Sequence, residues 1–87
     1  MTILEVTNNH PIWYVKFLAL GDVWEYASIP ERMELRDVEF GEKWQGDDVP
    51  NIIEQLLEND GALITFAEFQ RQAKAWYAAH KWAKVYA

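Results

Sequence analysis

The chain has 87 residues, 51% of them hydrophobic and 15% aromatic, with a net charge of −6 and no cysteine. That length makes a single domain, residues 1–87, and its aromatic rings, each removing about 150–250 Å² from water when buried, offset the thin margin of a small core. The composition excludes disulfides, thiolate chemistry, sulfur-ligated zinc and iron–sulfur clusters, and its acidic balance opposes sequence-independent nucleic-acid binding, which needs Lys and Arg on phosphates.

Thr2 to Thr7 reads as a short strand with Ile3, Leu4 and Val6 as its apolar content, and Asn8-Asn9-His10-Pro11 is a turn cluster. Ile12 to Leu20 is apolar on both alternating sets, which fits a buried strand or a buried helical segment. Pro11 and Gly21 would frame a helix, but the β-branched and aromatic residues of the first half favour a strand. Gly21-Asp22 then forms a two-residue turn with Gly first, the type II′ arrangement. Val23 to Ser28 returns as a strand with Trp24 and Tyr26 on one face. Ser28 to Glu31 has capping-box spacing, so Ile29 to about Leu35 admits a short helix. Met33, Leu35, Val38 and Phe40 also read as a strand with a bulge-like slip at Arg36-Asp37, and the strand is the preferred reading.

Gly41 to Asp48 is expected to be a loop. Its Trp44 stands among polar residues, either folded back as a lid on the core or exposed as a contact. Asp48 is placed to cap a helix that begins near Val49-Pro50 and ends near Asn59, with Ile52, Ile53, Leu56 and Leu57 on one face. Asp60-Gly61 ends it. Thr65 and Glu68 have capping-box spacing at the head of the last and longest helix, Ile64 and Phe69 have staple spacing, and Lys81 and Lys84 suit its C-terminal dipole. Helical periodicity puts Phe66, Phe69, Ala73, Trp76, Tyr77, His80 and Ala83 on one core-facing stripe. Trp82 and Tyr86 fall outside that stripe, near Ala75, Ala78 and Ala79. They are wrapped by the rest of the domain, exposed at a fraying end, laid on a membrane surface, or used as anchors for a partner or a second copy.

These elements compose an α+β domain: a small antiparallel sheet of three or four strands, covered on one side by a C-terminal antiparallel helix pair. The expected core is Val6, Val15, Phe17, Trp24, Tyr26, Ile53, Leu56, Leu57, Phe66, Phe69, Ala73, Trp76 and Tyr77.

Motifs for chemistry are scarce. Gly61 to Phe69 looks like the end of an EF-hand loop entering its helix. With Glu68 at loop position twelve, however, Leu57, Gly61 and Ala62 occupy positions that need oxygen ligands or a glycine, and only Asn59 fits. Val49 to Tyr86 resembles a helix-turn-helix, with Gln70, Arg71, Gln72 and Lys74 on the reading face, but a solvated amphipathic face explains these residues as well. Ser28 is the only serine and lies outside any nucleophile elbow, His10 and His80 have no zinc-binding spacing, and no glycine-rich phosphate loop is present. No cofactor and no enzymatic activity are expected.

Charge is unevenly spread. Residues 31–64 carry ten acids against three bases, and residues 65–87 one acid against four bases. Small, acidic, cysteine-free domains of this kind resemble phage- or plasmid-encoded inhibitors of host nucleic-acid machines, including anti-CRISPR and anti-restriction proteins. That resemblance implies a non-enzymatic protein-binding domain whose carboxylates occupy a basic nucleic-acid-binding surface of a host protein, without binding nucleic acid directly. The candidate contact residues are Glu31, Glu34, Asp37, Glu39, Glu42, Trp44, Asp47, Asp48, Trp82 and Tyr86. The alternative is a structural or assembly subunit that forms a homodimer or larger homo-oligomer through its aromatic C-terminal helix. No charged leader precedes an apolar stretch, and the longest apolar run is interrupted by Lys16, so a cytoplasmic location is expected and membrane insertion is not.

Overall fold

A computed structural model of the chain describes residues 1–86, with side chains described through Lys81. Five strands come first: β1 Thr2–Asn9, β2 Ile12–Ala19, β3 Asp22–Ile29, β4 Arg32–Asp37 and β5 Lys43–Gln45. Two helices follow, α1 Val49–Asn59 and α2 Phe66–Tyr86. The strands lie in sequence order, each antiparallel to the next, so the sheet is an uninterrupted meander. The fifth strand arises in the stretch expected to be loop, where Trp44 lies opposite Leu35.

Period-two alternation gives the sheet two unlike faces. On one face, Val6, Val15, Tyr26, Leu35 and Trp44 are register partners in a row across all five strands. The first four are buried and Trp44 is half-buried against them. This row gives α2 a surface to pack on. Phe69 meets Phe17 edge-on with ring centroids 5.0 Å apart and meets Tyr26 at 5.7 Å. Tyr77 meets Trp13 at 5.3 Å, also edge-on. α1 buries Val49, Ile53, Leu56 and Leu57 and packs on β4 and α2. Trp44 therefore acts as a lid, with its ring 6.0 Å from Trp24.

Several local expectations are corrected. The β2–β3 turn is Leu20-Gly21, not Gly21-Asp22, and both residues have positive φ, 55° and 70°. That is the signature of a type I′ turn, whose hand matches the twist of the strands it joins. The bulge lies at Leu4, between Ile3 and Glu5 in the β1–β2 register, and not at Arg36-Asp37. β4 ends at Asp37 because the Asp37 carboxylate accepts the Glu39 and Phe40 N–H groups and turns the chain out of the sheet. Val38 and Phe40 are consequently exposed.

Asp48 occupies the cap position of α1 but makes no side-chain cap bond. At α2, Thr65 Oγ1 does accept the Glu68 N–H, at 3.1 Å. The Glu68 carboxylate instead holds Arg71 and Gln72, and the Phe66 N–H donates to Glu54 Oε2 at 2.7 Å. Ala19, Leu35 and Val49 join the expected core, while Trp24, Phe66, Trp76 and Tyr77 are only half-buried. His80 leaves the core: it is exposed, stacks on Trp76 and donates from Nδ1 to the Trp76 carbonyl at 2.8 Å.

Candidate functional site

The face of the sheet away from the helices carries charge where the other carries hydrocarbon. Glu5, Lys16, Glu25, Arg36 and Lys43 are register partners across the five strands, and their signs alternate up to the last pair. Arg36 clamps Glu25 Oε1 through both Nε and Nη2. Glu34, one row along, faces Arg32 at 3.1 Å and Lys43 at 3.6 Å and accepts from Gln45 at 3.2 Å. Cross-strand pairs of opposite charge stabilise a sheet modestly and fix its register. All three arginines are ion-paired within the chain, since Arg71 holds Glu68. Hydrogen bonding to Arg71 lowers the Glu68 carboxyl below its ordinary value and raises the guanidinium.

The acidic candidates do not form one surface. Glu34 is committed to its cationic neighbours, and Asp37 is buried and caps a turn. Glu39 and Glu42 lie in the β4–β5 turn, exposed. Glu31 lies in the β3–β4 turn at the other end of β4. Asp47 and Asp48 leave the sheet at that same end, where the Gly46 N–H donates to the Met33 carbonyl. Among the described residues, Glu31, Glu39, Glu42, Asp47 and Asp48 are exposed and make no ion pair. Trp44 is half-buried in the covered face. The side chains of Trp82 and Tyr86 lie outside those described.

The β4–β5 turn is tightly built. The Asp37 N–H donates to the Glu42 carbonyl and the Gly41 N–H to the Asp37 carbonyl, both at 2.8 Å, while Gly41 supplies the positive φ of 74° that closes the loop. Asp22 stands beside Asp37. A hydrogen bond to Asp37 raises the Asp22 carboxyl above its ordinary value, with burial and the Asp37 and Glu39 charges adding to the shift. Desolvation pushes the Asp37 carboxyl up, but hydrogen bonds from Asp22 and from the Phe40 and Glu39 N–H groups outweigh it and leave it lowered.

At the same end, the sheet's open face turns apolar. Leu18 pairs with Val23, and the Val38 N–H donates to the Val23 carbonyl at 3.0 Å, giving a row Leu18–Val23–Val38. Leu20 and Phe40 stand in the two adjoining turns, 50% and 72% exposed. Sequence reasoning missed both, because Phe40 reads as the last position of an alternating strand and Leu20 as the end of an apolar run. The available signal was an aromatic set between acids and next to a glycine, Glu39-Phe40-Gly41-Glu42.

Among the described residues, no group of His, Asp and Glu is placed to hold a metal ion, and no helix is long and apolar enough to cross a membrane. Comparison with protein-family models, curated proteins and solved structures finds no match for this chain.

Proposed function

We propose that this protein is a non-enzymatic binding domain that docks on a basic protein partner. The carrying observation is the imbalance of pairing. The arginines and Lys43 are neutralised within the chain, whereas five exposed carboxylates, Glu31, Glu39, Glu42, Asp47 and Asp48, are not. Unpaired surface carboxylates steer a cationic partner and favour it over neutral ones. Within this class we favour an inhibitor of the phage or mobile-element kind, acting in the cytoplasm, that occupies a nucleic-acid-binding surface of a host protein. Its resemblance in size, charge and lack of cysteine to anti-CRISPR and anti-restriction proteins supports that choice.

The test is affinity capture from the native host's lysate at low and high salt. Wild type is compared with a Glu31→Lys/Asp47→Lys/Asp48→Lys variant and a Glu39→Lys/Glu42→Lys variant. The reading expects a basic nucleic-acid-binding protein, released by salt and lost with at least one variant. Capture that survives both variants and high salt would sink it.

A second reading, a homo-oligomeric assembly subunit, is favoured by one feature of α2. Ala75, Ala78 and Ala79 are exposed, and the sequence continues their stripe into Trp82 and Tyr86. Sedimentation equilibrium tests it: a salt-tolerant oligomer dissolved by Trp82→Ala/Tyr86→Ala supports this reading, and a monomer at all concentrations removes it.

A further inference from the structure

We infer that the docking point is the end of the sheet where Leu20, Phe40 and the Leu18–Val23–Val38 row are exposed, and that its occupant is a protein segment that combines Lys or Arg with apolar side chains. The inference rests on the basic-partner reading and sharpens it to one end of the molecule. Three independent features meet there.

The first is exposure held in place. Phe40 is 72% exposed, yet its N–H and that of Glu39 are both fixed on the Asp37 carboxylate, at 3.1 and 3.0 Å. A large ring presented on a rigid turn loses little conformational freedom on binding, which is what makes aromatic anchors effective. Leu20, Val38 and Leu18 are also exposed at this end of the sheet, so Phe40 is not its lone apolar side chain in water.

The second is a residue whose local conformation is unfavourable. Leu20 takes a φ of 55° at the first position of a type I′ turn, where Gly has no steric cost and Asn or Asp offsets it by local hydrogen bonding. Its side chain is half in water, so burial within this chain gives little in return. Backbone strain of this kind clusters where a side chain is being aimed at something. The aim is also braced: the Leu20 N–H donates to Asp60 Oδ1 at 2.9 Å, which ties the turn to the end of α1.

The third is charge. Glu39 and Glu42 flank Phe40, with Asp22 beside Asp37, and no base of this chain is ion-paired to either glutamate among the described residues. Two exposed carboxylates, Glu39 and Glu42, beside an exposed Phe40 match a segment that mixes cations with apolar side chains and oppose docking of a second copy of the same acidic end.

The experiment uses the intact protein on an array of random pentadecapeptides, followed by titration of the strongest binders. Bound peptides should combine Lys or Arg with Phe, Leu or Trp. Phe40→Ala should weaken them about tenfold or more without changing the melting temperature. Leu20→Asn should weaken them and raise the melting temperature, a combination that a residue serving only the fold does not give. Basic peptides that ignore both substitutions but are lost with Glu31→Lys/Asp47→Lys/Asp48→Lys would overturn this site and leave the basic-partner reading standing. Absence of binding, or binders without cationic residues, would overturn both. Self-association abolished by Phe40→Ala in sedimentation equilibrium would overturn the inference by assigning this end of the sheet to a second copy.

Discussion

The same five strands present two opposite solutions to neighbouring problems. On the covered face, Val6, Val15, Tyr26, Leu35 and Trp44 run across the sheet as hydrocarbon and aromatic ring. On the open face, one residue along each strand, Glu5, Lys16, Glu25, Arg36 and Lys43 run across it as charge. The first row holds the domain together, because water is removed from it. The second keeps the face solvated and in register at little gain in stability, because each pair replaces water with an equally polar neighbour. The open face also carries apolar side chains, Ile12, Tyr14, Ala27 and Ile29 toward one end and the Leu18–Val23–Val38 row at the other, and only the latter lies at the end where Leu20 and Phe40 are exposed.

That contrast can be broken most severely from the covered side. Phe69 is fully buried and touches both Phe17 and Tyr26, so Phe69→Ala should cost about 3–5 kcal/mol in denaturant unfolding. A domain of ordinary stability, roughly 5–15 kcal/mol, would be left marginal. Next comes the seam between the helices. Glu54→Ala removes the acceptor of the Phe66 N–H and should cost about 1–3 kcal/mol, whereas Glu54→Gln should recover part of it. On the open face the effects should be smaller. A double-mutant cycle on Glu25→Ala and Arg36→Ala should give a coupling of about 0.2–1 kcal/mol that shrinks with added salt.

The smallest effect is at the Leu20 and Phe40 end of the sheet and has a sign that depends on pH. The Asp22 carboxyl is raised in the folded protein by its hydrogen bond to Asp37, so its contribution is present in acid and is lost as pH rises through the raised value. The lowered Asp37, Asp60 and Glu68 carboxyls behave oppositely and lose their contributions as pH falls through their own values. Asp22→Asn keeps an acceptor for the Val23 N–H and a donor for Asp37 but cannot ionise. Its melting temperature should match wild type in acid and exceed it at neutral pH. A gap that opens in acid instead would contradict the proposed pairing.

Much of the covered face was legible because burial writes period two into strands and an i, i+4 pattern into helices. Ile53, Leu56 and Leu57, or Phe66, Phe69 and Ala73, need no tertiary information to be placed. The open side was less legible for physical reasons. The β2–β3 turn shifts by one residue because Leu20 adopts a conformation its side chain disfavours, and propensity cannot anticipate that. β5 is only three residues long and owes its existence to pairing with β4. Asp37 looks like any surface acid until its carboxylate is seen ending a strand. The acidic segment appears continuous in sequence, yet β4 carries Glu31 and Glu39 to opposite ends of the sheet and turns Glu34 and Asp37 toward different faces.

The strict sequence order of the strands also matters during synthesis. Each strand finds its partner next to it in the chain, so the meander can zip as it emerges, with short loops to close. Its cover does not exist yet. Every residue of α1 and α2 is made after the last strand, so the row through Val15, Tyr26 and Leu35 stays wet while residues 46–77 are added. At a translation speed of about 5–20 residues per second, that interval is roughly 2–6 s. For those seconds the nascent sheet has one charged face, already suited to water, and one greasy face that is a target for chaperones.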